Sequence, residues 1–336
     1  MPAQTPIIAI TMGDPAGIGP EVTARALKRP EIWRLCRPVV VGDLSIANAA
    51  ADLVGAPAFH GITSLRQARF CPEAPDLLDV QQMHIDDLRP GRVAAPCGEA
   101  AAAYIARAVA LCKAGEADAL TTGPINKAAL KEAGVPFIGH TELLASLLGD
   151  PEVTTMLATT GLRVVHVTRH VPFAQIARYI TRKNVLETIK LTDAGLRQMG
   201  IALPRIAVAA LNPHGGDEGL MGREEIDAIG PAVRDAQQAD IDAYGPIPAD
   251  SVFFRAIRGE FDVVVAMYHD QGHIPIKTHG FERSVTVTLG LPIIRTSVDH
   301  GTAFDIAWQG TADDESMVEA LRLAAQLAEG KRAGEH

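Results

Sequence analysis

FDVVVAMYHDQGHIPIK, residues 261 to 277, is the stretch on which the reading of the fold turns. Val263 to Met267 is an unbroken run of small and β-branched apolar residues, the pattern of a strand buried on both faces in a parallel sheet. That run passes directly into Tyr268, His269, Asp270, Gln271, Gly272 and His273. In open α/β sheets ligands bind beyond the carboxyl ends of the strands, so a polar cluster at such an end marks a place for chemistry.

Working outward, the same alternation recurs along the chain. Short apolar segments predict strands at Ile7 to Thr11, Val39 to Val41, Ala119 to Thr122, Arg163 to Thr168, Arg205 to Leu211 and Ser284 to Thr288. Between them, helical spacing predicts helices over Pro20 to Leu27, Glu99 to Lys113, Ile125 to Ala133, Asn184 to Met199, Arg223 to Gln238 and Glu315 to Glu329. Strands alternating with helices imply an α/β fold with a mainly parallel sheet. The tail GKRAGEH is polar, and frayed ends are common at termini.

A chain of 336 residues exceeds a single comfortable core and suggests two lobes. The net charge is −9, and no run of Lys or Arg offers a basic arm, which argues against nucleic acid and leaves small-molecule chemistry. The start MPAQTPIIAITMGDP lacks the basic and long apolar regions of a leader, and no apolar run is long enough to span a bilayer. No membrane association and a cytoplasmic location are the expectations. Cys36, Cys71, Cys97 and Cys112 are scattered without CxxC spacing and read as reduced structural thiols.

Four post-strand regions carry candidate chemistry. GDPAGIGPE, 13 to 21, matches neither GxGxxG nor a phosphate loop and reads equally as a tight turn or a ligand loop. TTGPINKAAL, 121 to 130, opens a helix, where free N–H groups suit an anion and where a side-chain cap is the plain alternative. His170, His214 and His269 each follow a separate strand. A histidine of this kind is usually structural, but three together match a metal site that leaves one position open for substrate. His166, inside a strand pattern, reads as a core residue. Lys277 and Arg295 suit carboxylate or phosphate, and Asp299 to Ala303 packs an acid, a base and a turn together.

Taken in order, GDPAGIGPE, TTGPINK, GHTELL, NPHGGDEG, GPIPAD, MYHDQGHIPIK and TLGLPIIRTSVDHGTAFDIA resemble the 4-hydroxythreonine-4-phosphate dehydrogenase (PdxA) family from about Ile7 to Ala307. The resemblance implies an isocitrate/isopropylmalate dehydrogenase-like α/β fold: residues 1–135 with 296–336 as one lobe on the cofactor side, 136–295 as the other on the metal and dimer side, and a cleft between them. It implies NAD- or NADP-dependent, divalent-metal-dependent oxidation, with decarboxylation, of a phosphorylated 3-hydroxy acid such as 4-phosphohydroxy-L-threonine. It further implies a homodimer whose active sites draw on both subunits.

By the same resemblance His170, His214 and His269 are metal ligands; three imidazoles suit zinc, with cobalt, nickel, manganese or magnesium as substitutes. His140, Thr141, Lys277, Thr286 and Arg295 fall at substrate contacts, and His300, Gly301, Ala303 and Asp305 in an adenosine-binding segment. Asp270 and Lys277 are the catalytic candidates; Asp270 serves equally well as a proton relay, an orienting partner of His269 or a helix cap.

Two residues depart from the family pattern. Thr286 stands where a substrate-contacting Asn is usual, and Trp308 where a Gly follows DIA. A hydroxyl is shorter than an amide and bonds differently, so the first departure opens a 4-phospho-D-threonate or 4-phospho-D-erythronate dehydrogenase as an alternative. A metal-dependent hydrolase or phosphatase is the rival from another class, set against by DHGTAFDIA.

Overall fold

The computed structural model describes residues 5–137 and 139–334. In chain order its strands are β1 (Ile7–Thr11), β2 (Arg37–Gly42), β3 (His60–Ile62), β4 (Asp76–Asp79), β5 (Ala119–Thr122) and β6 (Thr154–Thr159). There follow β7 (Leu162–His166), β8 (Ile206–Ala209), β9 (Ala243–Ile247), β10 (Val263–Ala266), β11 (Val285–Leu289) and β12 (Ile294–Val298). Helices fill most of the connections, so the expected α/β alternation is realised. Two compact units form, Met1–Pro151 with Leu291–Glu329 and Glu152–Gly290 with Gly330–His336.

In the first unit the strands run β3-β4-β2-β1-β5-β12, every pairing parallel. Ile8, Ala9, Ile10, Val39, Val40 and Val41 have no exposed surface, as strands covered on both faces require. Helix Ala95–Lys113 lays Cys97, Ala101, Tyr104, Ile105, Ala108 and Val109 inward at spacings of three and four. Helix His140–Leu147 packs on it, and β12 pairs with β5. Those contacts place His140, Thr141 and Arg295 in this unit, whereas the lobe boundaries read from the sequence put them in the other.

In the second unit the order is β11-β6-β7-β10-β8-β9. β7, β10, β8 and β9 are parallel, but β6 runs antiparallel to both β7 and β11. Val164, Ala207, Ala209, Val252, Val264, Ala266 and Ile276 belong to one buried cluster. Helix Arg182–Gln198 starts at a Thr181 cap, whose hydroxyl accepts from Asn184 N at 3.2 Å. The helix expected over Arg223 to Gln238 forms, its first part as a π-turn, Glu225–Ile229, that runs directly into helix Gly230–Gln238. Pro231 has no N–H to donate into the α-helical ladder, which accounts for the π-turn before it. Helix Glu315–Gly334 carries most of the tail expected to fray; residues 335 and 336 lie outside the described residues. Among the described residues no helix is long and apolar enough to cross a membrane.

Candidate active site

In the second unit β10 delivers the quoted stretch as the sequence suggests. Tyr268 is the extended residue at which the strand gives way to helix His269–Gly280. Part of that polar run is structural. The buried Gln271 amide accepts from Met267 N at 2.6 Å and donates to Ala210 O at 2.7 Å, tying the end of β10 to the end of β8. Thr168 donates its hydroxyl to Met267 O at 2.8 Å, tying in the segment after β7.

The rest is a histidine cluster. His269 and His273 stack with centroids 3.6 Å apart and planes 11° from parallel. His166 lies 4.8 Å from His273, and His170 5.9 Å from His269. Asp270 Oδ1 is 2.6 Å from His269 Nδ1, an arrangement that fixes the tautomer and leaves the Nε2 lone pair free to bind a metal or accept a proton. His166 is buried, with Nε2 unpartnered; burial, then the neighbouring His273, His269 and Arg169, pushes its pKa down to about 3. Its ring fits because residue 272 is glycine: a Cβ there would lie 2.2 Å from His166 Nε2.

His214 sits on an unusual loop. From His214 to Glu218 every φ lies between 47° and 80°, the left-handed region. The loop is held by Glu225, whose carboxylate accepts from Leu211 N and Asn212 N, both at 2.8 Å, and from Asn212 Nδ2 at 2.9 Å. Burial opposes that charge, but the Asn212 and Leu211 donors outweigh it and hold the carboxyl below its usual range. At Gly216 a Cβ would meet Glu225 Oε2 at 2.7 Å, so the cradle requires glycine. His214 lines a cavity of about 580 Å³ with Asn212, Asp250, Tyr268, Gln271 and Phe173. Lys277 Nζ lies 4.8 Å from the Phe281 ring centre. Thr286, half-buried in β11, pairs with Leu157.

In the first unit Arg295 is 3% exposed. Its Nε and Nη2 donate to Thr122 Oγ1 at 3.2 and 2.6 Å, and burial holds its pKa below the ordinary arginine value. His140 opens helix His140–Leu147, with Thr141 beside it. Its Nε2 is buried without a partner; burial, then the Arg295 charge, keeps the ring neutral against a backbone hydrogen bond at Gly123. A neutral imidazole and a desolvated guanidinium together suit an anionic group that brings its own acceptors. At TTGPINK the cap alternative is realised: Asn126 Oδ1 accepts from Ala128 N and Ala129 N at 2.9 and 3.0 Å. Cys36 and Cys97 are buried, and desolvation raises both thiols, Cys97 to about 11, which makes them inert.

Residues 34–324 match the family model of the pyridoxal phosphate biosynthetic protein PdxA. The chain belongs to the PdxA family. It is 48% identical over 325 residues to D-threonate 4-phosphate dehydrogenase of Cupriavidus necator, covering 96% of this chain and 97% of that one. Among solved structures it is similar to a 4-hydroxythreonine-4-phosphate dehydrogenase from Burkholderia phymatum, at 47% identity and TM-score 0.89, with 97% and 99% of the two chains covered. A second, from Klebsiella pneumoniae, gives 42% identity and TM-score 0.90, with 96% and 100% covered. These relatives are dehydrogenases, and this PdxA-family chain is an oxidoreductase.

For a PdxA-family enzyme the donor set can be tested against the cofactors the resemblance brings. Among the described residues of this one chain no group of three His, Cys, Asp or Glu side chains is placed to hold a metal ion. His269 keeps Nε2 available while Nδ1 meets Asp270 and the ring stacks on His273, and His214 stands on the wall of a cavity. The imidazoles are the right kind of ligand, and they do not converge within a single chain. The segment that the resemblance assigns to adenosine has an unsatisfied group of its own. His300 Nε2 is buried and unpartnered, and at the next residue a Cβ on Gly301 would meet nothing within 4 Å, so an unsatisfied polar atom and uncrowded backbone are neighbours along the chain. Ala303 has φ 41°, and Asp305 is exposed.

Sequence reasoning missed His273, Asp250, Glu225 and Thr122. The signal for His273 was readable, since it follows His269 by four residues and therefore shares a helix face. Thr122 lay inside TTGPINKAAL, but its contact with Arg295 was not readable there, because it depends on the β5–β12 pairing.

Proposed function

We propose that this dehydrogenase oxidises a phosphorylated 3-hydroxy acid with NAD or NADP as hydride acceptor, and that D-threonate 4-phosphate is its substrate. The observation that carries the anionic substrate class is the buried Arg295 guanidinium beside the orphaned His140 nitrogen. Motifs alone ranked 4-phosphohydroxy-L-threonine first. That order is reversed here, on the 48% identity to a D-threonate 4-phosphate dehydrogenase and on Thr286 in place of the usual Asn.

In the proposed reaction the C3 hydroxyl loses its proton, the C3–H bond passes as hydride to the nicotinamide, and a 3-keto acid results. Loss of carbon dioxide then leaves an enolate that takes up a proton at C2. Arg295, His140 and Thr141 are proposed to hold an anionic group of the substrate, and Thr286 to shape its pocket by a hydroxyl. Lys277 is proposed as an anion-holding residue and the source of the proton returned to C2, with Asp270 orienting His269. His300, Gly301, Ala303 and Asp305 are proposed to receive the adenosine of the cofactor.

His170, His214 and His269 do not converge in one chain, so a divalent ion would have to be held between two copies. A homodimer that completes a three-histidine zinc site is the assembly proposed. Support comes from the second unit, where Phe173, Leu220, Phe254, Ile274 and Phe281 are more than half exposed.

The test is NADH formation on D-threonate 4-phosphate, D-erythronate 4-phosphate and 4-phosphohydroxy-L-threonine, with metal-loaded and chelator-treated protein. Preference for the D-threonate ester supports the proposal. Preference for the amino acid phosphate restores the first ranking, and hydrolysis without NADH would sink the dehydrogenase mechanism.

A further inference from the structure

We infer that Trp308 is a positioning residue for the nicotinamide cofactor, clamping the segment Asp299 to Ala307 onto the loop Gly13 to Glu21. The inference rests on the proposed role of that segment in binding adenosine.

Trp308 has φ 61°. A bulky side chain in the left-handed region is strained, and such strain persists only where the surroundings over-determine it. Here they do so from several sides. The indole Nε1–H donates to Pro15 O at 2.9 Å, and the backbone N–H of Trp308 donates to Glu21 Oε1. Gly310 N donates to Glu21 Oε2 at 2.8 Å, and Arg25 Nη2 donates to Gly310 O. Glu21 itself has no exposed surface. At the other end of the segment Ile18 N donates to Thr302 O at 3.0 Å.

Loop 13–21 and segment 299–310 are therefore tied together at Thr302 and again from Trp308 to Gly310. His300, with its unpartnered Nε2, and Gly301, where an added Cβ would meet nothing, immediately precede the first tie. A glycine at 308 would accept the same backbone without strain. Tryptophan adds one thing that glycine lacks, the indole bond to Pro15, which stiffens the far end of the segment. Removing it should cost the cofactor its preorganised seat while leaving the anion-holding residues untouched.

The experiment compares wild type, Trp308→Phe, Trp308→Gly and Trp33→Phe. Trp33 is the control: its indole also donates to a backbone carbonyl, Leu27 O at 2.8 Å, away from the segment. NADH binding is titrated calorimetrically without substrate, and KM is measured separately for cofactor and substrate. Loss of one neutral hydrogen bond should raise the NADH Kd and the cofactor KM about three- to tenfold in both Trp308 variants. Substrate KM should hold, and Trp33→Phe should match wild type. Trp308→Gly keeps the test open if the strained Phe variant fails to fold. Unchanged NADH affinity in the folded variants, or a substrate KM that rises as far as the cofactor KM, overturns the inference alone. Wild type that neither binds NADH nor reduces NAD or NADP overturns the adenosine reading together with it.

Discussion

Arg295 and Thr122, on neighbouring parallel strands, share one hydroxyl oxygen: two guanidinium nitrogens donate to Thr122 Oγ1 at 3.2 and 2.6 Å. Thr122 Oγ1 in turn donates to Ser297 Oγ at 3.0 Å, so the charged fork stands on a short hydroxyl chain. Replacing Thr122 by Val preserves shape and deletes the shared acceptor. We expect a stability loss of about 1–3 kcal/mol, the cost of leaving buried donors unsatisfied, with a raised substrate KM. Arg295→Lys should lower kcat/KM about a hundredfold, because a point charge cannot reproduce the fork's geometry. Urea melts and steady-state kinetics check both, and an Arg295→Lys enzyme with wild-type kcat/KM would remove Arg295 from the substrate site.

Asp14 gives a pH dependence whose sign can be worked out. It has no exposed surface, Oδ1 accepts from Ala16 N at 2.8 Å, Oδ2 is unpartnered, and burial raises its pKa from 3.8 to about 6. The folded state thus holds its proton more tightly than the unfolded chain. Stability from this group is full below pH 3.8 and falls as pH rises through about 6, by roughly 3 kcal/mol for a shift of about two units. Asp14→Asn, which has no proton to lose, should therefore gain stability relative to wild type between about pH 4 and 6 and keep the gain above. Denaturation at pH 4 and pH 8 measures it; an equal difference at both would refute the assignment.

Thr286 tests substrate choice. Its partner across the antiparallel ladder is Leu157, and it is half-buried. Thr286→Asn installs the amide that the family resemblance implies at this position, at a strand cost of up to about 1 kcal/mol. The ratio of kcat/KM for 4-phosphohydroxy-L-threonine over D-threonate 4-phosphate should rise. An unchanged ratio would make the residue a neutral variation.

His214 is exposed and left-handed, so Asn is the substitution that keeps its backbone comfortable. His214→Asn should leave stability within about 0.5 kcal/mol and lower metal-dependent turnover at least about a hundredfold. Full turnover in this variant would end its candidacy as a ligand.

Much of the fold was legible because it rests on local patterns. β1 and β5 fall where the apolar runs end, and β10 differs from its expected span by one residue. β3, β4, β6, β9 and β12 were not assigned. β4 is two leucines between aspartates, β9 contains Gly245 and Pro246, and the polar residues of β12 include the buried Arg295. Their strand character comes from neighbours that supply the other half of each ladder, which no local window contains.

The candidate site divides in the same way. Residue types and their order along the chain were enough to identify the family and to single out His170, His214, His269 and Arg295, because chemistry at strand ends leaves a compositional trace. Three-dimensional packing alone decided that Arg295 lies buried against Thr122 and that the Trp308 indole donates to Pro15 O. Those hydrogen bonds join residues 173 and 293 positions apart. Periodicity reports which face of an element turns inward; only the assembled unit determines what that face meets.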